Sequence, residues 1–495
     1  MSLLRGGMLR VPFVACAMAF VTVAAGCGDD AAPAPLAPPD LVRCDITTSA
    51  CQRGIYNSVA GMLDASGYRM PSIRTISVDQ HADEVRSRID LDDLTGEDAE
   101  TRGLRLIGFL PSASESLTAT QAEYWITQVA AYYSRSNNSI TVIDRDYDDG
   151  SAQVILAHEF IHSIQDSQFD LNTVSSGADT EDRVIGVRSV IEGDAVHSSF
   201  AWYYEVSGIA LEDIDWDEIH ADGTTRLQER AADVEIALLD TASSFPYSYG
   251  FQFMTNTTLA EGLTGRAEAF GEPPASAAQV MRGYGRIAPV ADFPSVAHPA
   301  PIEGSEIAIE NRFGAWYVYG TLRRQGLEHE DALDVSLSWE GDELAIYRGG
   351  DEVVAVWRVR FDDAATASIL SDRVNDAGDG ARSAVAFGDD AFVFAAESSD
   401  TLVAWASQPL DSMTASIVPK AERRMGGAVS VGTCLQTLDF SVPSPPPLHA
   451  EQWICTASRE RVDVQPGPAV LRSRASFDRR RCEVDGVFPA PGATP

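Results

Sequence analysis

The stretch that most constrains this chain is Ala157-His158-Glu159-Phe160-Ile161-His162, an H-E-x-x-H motif inside an apolar helix predicted over Ser151–Gln168. Positions four apart on an α-helix lie about 40° from each other around the axis. His158 and His162 therefore point the same way, one turn apart, and can ligate one metal ion. Glu159 is rotated about 100° from His158, which sets its carboxylate beside that ion and not on it. Two imidazoles with an adjacent carboxylate that takes a proton from metal-activated water is the working arrangement of a zinc hydrolase. A histidine on an apolar helix can also be a satisfied core residue. Against that stand the apolar setting of the motif and a strand predicted just before it, Ser139–Asp144. A carboxylate in Glu192-Gly193-Asp194-Ala195 also follows at a usable distance.

Two ligands do not hold a catalytic zinc, and a third is expected from elsewhere in the chain. Glu192 is the best candidate. It lies 30 residues after His162, on a second helix predicted over Asp179–Val206. H-E-x-x-H followed by E-G-x-A resembles the gluzincin branch of the zincin metallopeptidases, in which a downstream helix supplies a Glu ligand. The longer pattern is His158-Glu-x-x-His162-x-x-Gln165-Asp166-x-x-Phe169-Asp170, then Val190-Ile-Glu192-Gly-Asp194-Ala195, then Pro246-Tyr247-x-x-Gly250. It is similar to a group of bacterial zinc metallopeptidases, many of them lipoproteins. The likeness runs from about Ser72 to about Leu370 and is concentrated in the two helices. One segment departs from it: after Pro273-Pro-Ala-Ser-Ala-Ala-Gln-Val280 the family continues to His-Pro, whereas this chain has Met281-Arg-Gly-Tyr.

The resemblance implies an α+β fold. It comprises a zincin-like core with a small mixed sheet and an active-site helix, an N-terminal α/β lead-in and a β-containing C-terminal region. It also implies Zn2+ held by His158, His162 and Glu192, with Glu159 as general base and a peptide or protein as substrate. The oxyanion donor is expected from a helix beyond the third ligand, with Tyr247 first, then Tyr249 and His197. In zincins the strand preceding the motif pairs with extended substrate. Asp166, one turn beyond His162, is expected to orient a ligand imidazole through its other ring nitrogen, and Asp194 to hydrogen-bond near the site. An inactive zinc-binding pseudopeptidase acting as a surface binding lipoprotein is the alternative, and a lipoprotein in which the motif is coincidental is another. Gly193 lets a second backbone come close.

The N-terminus reads as a targeting segment. Arg5 and Arg10 precede an apolar run, Val11–Gly26, too short for a comfortable membrane span. Small residues ending at Cys27 resemble a lipoprotein cleavage site, although Ala24 stands where that pattern prefers Leu; a plain secretory signal is the alternative. Both put the protein outside the cytoplasm, the first as a membrane-anchored lipoprotein. Residues 28–40, rich in Pro, Ala and Asp, read as a tether. Of seven cysteines, Cys44, Cys51, Cys434, Cys455 and Cys482 remain once Cys16 is cleaved off and Cys27 lipidated. Cys44 and Cys51 are close enough to close a small loop, and two of the other three are expected to pair.

The net charge of −36 argues against nucleic acid and anionic lipid head groups as partners. Asp144–Gly150 imitates a calcium loop, but Gly150 is one place late and Ile155 stands where such a loop needs Glu. The expected organisation is a signal over 1–26, a lipid-anchored linker over 27–43 and an α/β region over 44–115. A catalytic core over 116–300, an α/β region over 301–415 and a cysteine-bearing tail over 416–495 follow. Further expectations are a helix capped by Thr118 or Thr120 and running to about Tyr133, a helix over Glu310–Gln325, and a hairpin through Trp339–Tyr347 and Val353–Trp357.

Overall fold

The computed structural model describes residues 37–88, 98–113, 116–145, 147, 149–283, 305–376, 382–398 and 401, and three strands at 429–435, 454–459 and 469–472. The expected signal, Cys27, most of the tether and most of the tail lie outside these residues, as do Asp146 and Asp148 of the calcium-like loop. The fold is α+β. The chain divides into two compact units, the first from Met1–Gly96, Glu115–Arg230 and Leu239–Val290, the second from Glu97–Ser114, Ala231–Leu238 and Ala291–Pro495. Of the expected lead-in over 44–115, residues 44–96 fall in the first unit and 97–114 in the second.

In the first unit, α1 (Ser49–Met62) starts where the Thr48 side chain accepts from the Cys51 amide. β1 (Ser72–Ser77) follows, and Ser77 with Gln80 forms a capping box for α2 (Val78–Arg86). α3 (Leu117–Gln128) is capped by Ser116, whose hydroxyl accepts from Ala119 N at 2.9 Å. The cap is thus the hydroxyl just before the first turn, not Thr118 or Thr120, which lie inside the helix. The helix also stops short of Tyr133. Residues Ala131–Ser134 form β2, because pairing with β3 (Ser139–Asp144) outweighs the weak helical preference of Ala-Tyr-Tyr. The sheet order is β1-β3-β2, with β1 parallel and β2 antiparallel to β3. β3 is therefore the middle strand, so the strand before the motif cannot pair with an extended ligand; the antiparallel edge is β2.

Alternation along β3 fixes what lies on each face. Ile140 and Val142 share a buried cluster with Leu156, Ala157, Phe160, Ile161 and Ile164 of α4 (Asp149–Phe169), while Ile143 packs with Ile76, Val129 and Tyr132. α5 (Glu181–Val206), capped by Thr180, adds Ala195 and Trp202 to the first cluster. α6 (Trp216–Ala232) follows, and a short 3-10 turn at Phe245–Tyr247 leads into α7 (Tyr249–Gly271). Cys44 and Cys51 form a disulfide, with Cα atoms 5.5 Å apart.

The second unit holds an antiparallel five-stranded sheet. Its strands are β4 (Glu306–Asn311), β5 (Trp339–Gly349), β6 (Glu352–Phe361), β7 (Arg382–Phe387) and β8 (Asp390–Ala396), in the order β4-β5-β6-β8-β7. The expected hairpin is β5–β6. The expected helix over Glu310–Gln325 is shorter: Glu306–Asn311 is strand, and Gly314 at φ 83° turns the chain before the helix α8 (Ala315–Arg324). Buried Asp342 accepts from the amides of Phe313 and Gly314 and from the indoles of Trp339 and Trp357, at 2.8–3.0 Å. Phe109, from the first segment of this unit, packs on Phe313, Tyr317 and Trp357 with ring centroids 4.8–5.2 Å away. Farther on, the strands β9 (Val429–Leu435) and β10 (Ile454–Arg459) pair with Cys434 opposite Cys455.

Candidate metal centre

Apolar residues nearly all round α4 bury it, and its motif face turns toward α5. There the Nε2 atoms of His158 and His162 are 3.0 Å apart, and Glu192 Oε2 lies 3.4 Å from the first and 3.2 Å from the second. Among the described residues these three form the one His/Cys/Asp/Glu group with ligand atoms close enough to share an ion. Tetrahedral ligands at zinc-like bond lengths lie about 3.3 Å from one another. The triangle matches that spacing. Neither Glu192 oxygen accepts an ordinary hydrogen bond, although the residue is fully buried. A buried carboxylate left without donors, facing two imidazole lone pairs, is what a cation would satisfy. Glu192 is the third member as expected; Asp194 and Asp166 are not.

The charges respond to one another. Burial works against the imidazolium at both histidines and lowers the pKa of His158, but at His162 the Glu192 carboxylate reverses it and holds the pKa above its ordinary value. Burial would raise the pKa of Glu192; His162, His158 and Arg188 instead hold it well down. Glu159, fully buried with no hydrogen bond on either oxygen, is pushed up to about 8 by desolvation. It stands beside the triad without joining it.

The partner of His162 differs from the expected one. Asp166 takes the Tyr133 hydroxyl at 3.1 Å and the Leu171 amide at 3.1 Å, and so braces β2 and the end of α4. Gln165, one residue earlier, pairs with His162 Nδ1 at 2.8 Å. Its amide nitrogen donates to Ile191 O at 2.9 Å and to Asp194 Oδ2 at 2.7 Å. With both amide hydrogens used, Gln165 Oε1 must accept, so in the neutral His162 ring Nδ1 carries the proton and Nε2 is left with the lone pair toward the triad. Asp194 is held in turn by Arg266 Nε at 2.8 and 3.0 Å, and the guanidinium lies over the rings of Phe169 and Phe270. Asp194 thus acts near the site as expected, at one remove. Arg266 carries no sequence signal, whereas Gln165 stands inside the quoted motif.

Two glycines bring α5 and α7 together. A Cβ on Gly193 would overlap the carbonyl of Gly250, and one on Gly250 would sit 2.7 Å from Ser189 Cα. This approach puts Tyr247 against the triad, its ring stacked on His158 with centroids 6.2 Å apart and 22° between planes. The other two donor candidates lie elsewhere. The Tyr249 hydroxyl accepts from Gln228, and His197 pairs with Thr255 at 3.0 Å and packs on Trp216.

Residues 305–418 match a domain of unknown function (DUF8575), which falls in the second unit and does not include the triad. No curated protein and no solved structure matches the chain.

Proposed function

We propose that the chain is a zinc-dependent metallopeptidase of gluzincin type. The observation that carries the reading is the convergence of His158, His162 and Glu192 at ligand spacing, with unpaired Glu159 alongside. A divalent ion held there would supply Lewis-acid chemistry, polarising a peptide carbonyl and making water a stronger acid. With the charge of such an ion beside it, Glu159 would be ionised, take a proton from the attacking water and pass it to the departing nitrogen. Gln165 keeps His162 in the tautomer that presents Nε2. Tyr247, stacked on His158, is the donor proposed for the carbonyl oxygen as it becomes negative.

The sheet supports the same reading from the substrate side. Ile143 N donates to Ala130 O across the β2–β3 ladder, so alternation turns the main-chain groups of Ala131 and Tyr133 away from β3. The backbone of Tyr133 is also close enough to Glu159 to lower its pKa. An extended peptide pairing with that edge would lie beside the general base.

The Cys44–Cys51 disulfide supports export, and lipidation of Cys27 remains part of the proposal. One observation favours a second reading, a zinc-binding pseudopeptidase: His158, Glu159, His162 and Glu192 are all at most 5% exposed. Turnover separates the two. Purified protein is expected to carry stoichiometric zinc and to cleave an unstructured protein such as casein. Glu159→Gln should keep its zinc and lose roughly two to four orders of magnitude in rate. Glu192→Ala should lose most of its zinc to a mild chelator. Zinc retained in Glu192→Ala would end the ligand assignment; zinc without cleavage in the parent would favour the second reading.

A further inference from the structure

Arg188 lies one turn before Glu192 on α5, on the same face. Its guanidinium is 3.9 Å from Glu192 Oε1, the oxygen away from the imidazoles, and makes one long hydrogen bond to Ser243 O at 3.5 Å. A guanidinium has five N–H donors, so most of its capacity is unspent. Its side chain is 21% exposed, against 6% for His158 and none for Glu192.

We propose that Arg188 is the anion-binding residue of this site, taking a ligand oxyanion beside the triad. Two sources share that chemistry. When water adds to a peptide carbonyl, a C–O bond forms and the carbonyl pair moves onto oxygen; collapse then breaks the C–N bond as the proton held by Glu159 goes to nitrogen. The oxygen that carries the pair is one source, and the terminal carboxylate of a short peptide is the other. Which of them is bound rests on the peptidase reading; the existence of the anion site does not.

The test uses the full, zinc-loaded chain and inorganic sulfate, followed by titration calorimetry, with zinc content and Tm measured for each variant. Parent protein is expected to bind sulfate, Arg188→Gln to bind it roughly ten- to hundredfold more weakly at unchanged zinc content, and Arg188→Lys to recover part of the loss. No sulfate binding by the parent, equal binding by Arg188→Gln, or loss of zinc from Arg188→Gln would each overturn the proposal, the last by making Arg188 a brace for Glu192. Peptide pairs with a free or an amidated C-terminus then identify the source. A fall in kcat on both forms marks the carbonyl oxygen, and a rise in KM on the free acid alone marks the carboxylate. If no peptide is cleaved, the peptidase reading fails while the sulfate result still decides Arg188.

Discussion

Gln165 and Asp166 are neighbours on α4 that divide two tasks. Gln165 fixes the His162 ring, and Asp166 ties Tyr133 to the end of the helix. Substituting each should therefore give different results. Gln165→Ala is expected to weaken zinc binding about ten- to hundredfold, as removal of a metal-orienting partner commonly does. Asp166→Ala should leave zinc affinity within about twofold and cost about 1 kcal/mol of stability. Competition with a chromogenic chelator measures the first and denaturant unfolding the second; a reversed pattern would restore Asp166 as the orienting group. The placement of His158, Glu159 and His162 was legible because it is set by spacing within one helix. The orienting residue was not, because i+3 and i+4 both lie on the face of His162, and the choice depends on where Asp194 and Arg266 arrive from separate helices.

The crossing of α5 and α7 is the element-scale counterpart. Glycine at both contact points lets the backbones meet, and Tyr247 reaches His158 because they do. Gly193→Ala is expected to cost about 3 kcal/mol and to lower zinc affinity, since α5 also carries Glu192. Thermal unfolding and metal titration on the same preparation check both, and an unchanged Tm would show that the helices separate freely. The need for close approach at Gly193 could be read from the sequence, but its partner could not. β2 was illegible for a related reason. Ala131, Tyr132 and Tyr133 suit a helix end as well as an edge strand, and only pairing with Thr141 and its neighbours decides between them.

At the scale of the whole molecule, stability depends on pH through groups far apart in sequence. His197 and His220 share the Thr255 hydroxyl at 3.0 and 3.2 Å, and His220 Nδ1 has no partner. Burial lowers both pKa values to about 4. The unfolded imidazoles titrate near 6.5, so between about 6.5 and 4 the unfolded chain holds protons that the folded chain does not. Their contribution is complete above about 6.5 and is lost as pH falls, by roughly 3 kcal/mol for each ring. Asp240, raised to about 6 by burial, acts in the opposite direction below that pH. The measurement that isolates the rings is a difference: Tm should fall less between pH 7 and 5 in His220→Gln than in the parent, and parallel slopes would remove the pair from the account. The division of the chain has a consequence in time as well. A ribosome delivers residues in order, and Phe109 emerges some two hundred positions ahead of Phe313, Tyr317 and Trp357, the rings that will cover it. Throughout that interval the nascent protein carries an uncovered aromatic anchor, so its second half must be finished before its first excursion has anywhere to settle.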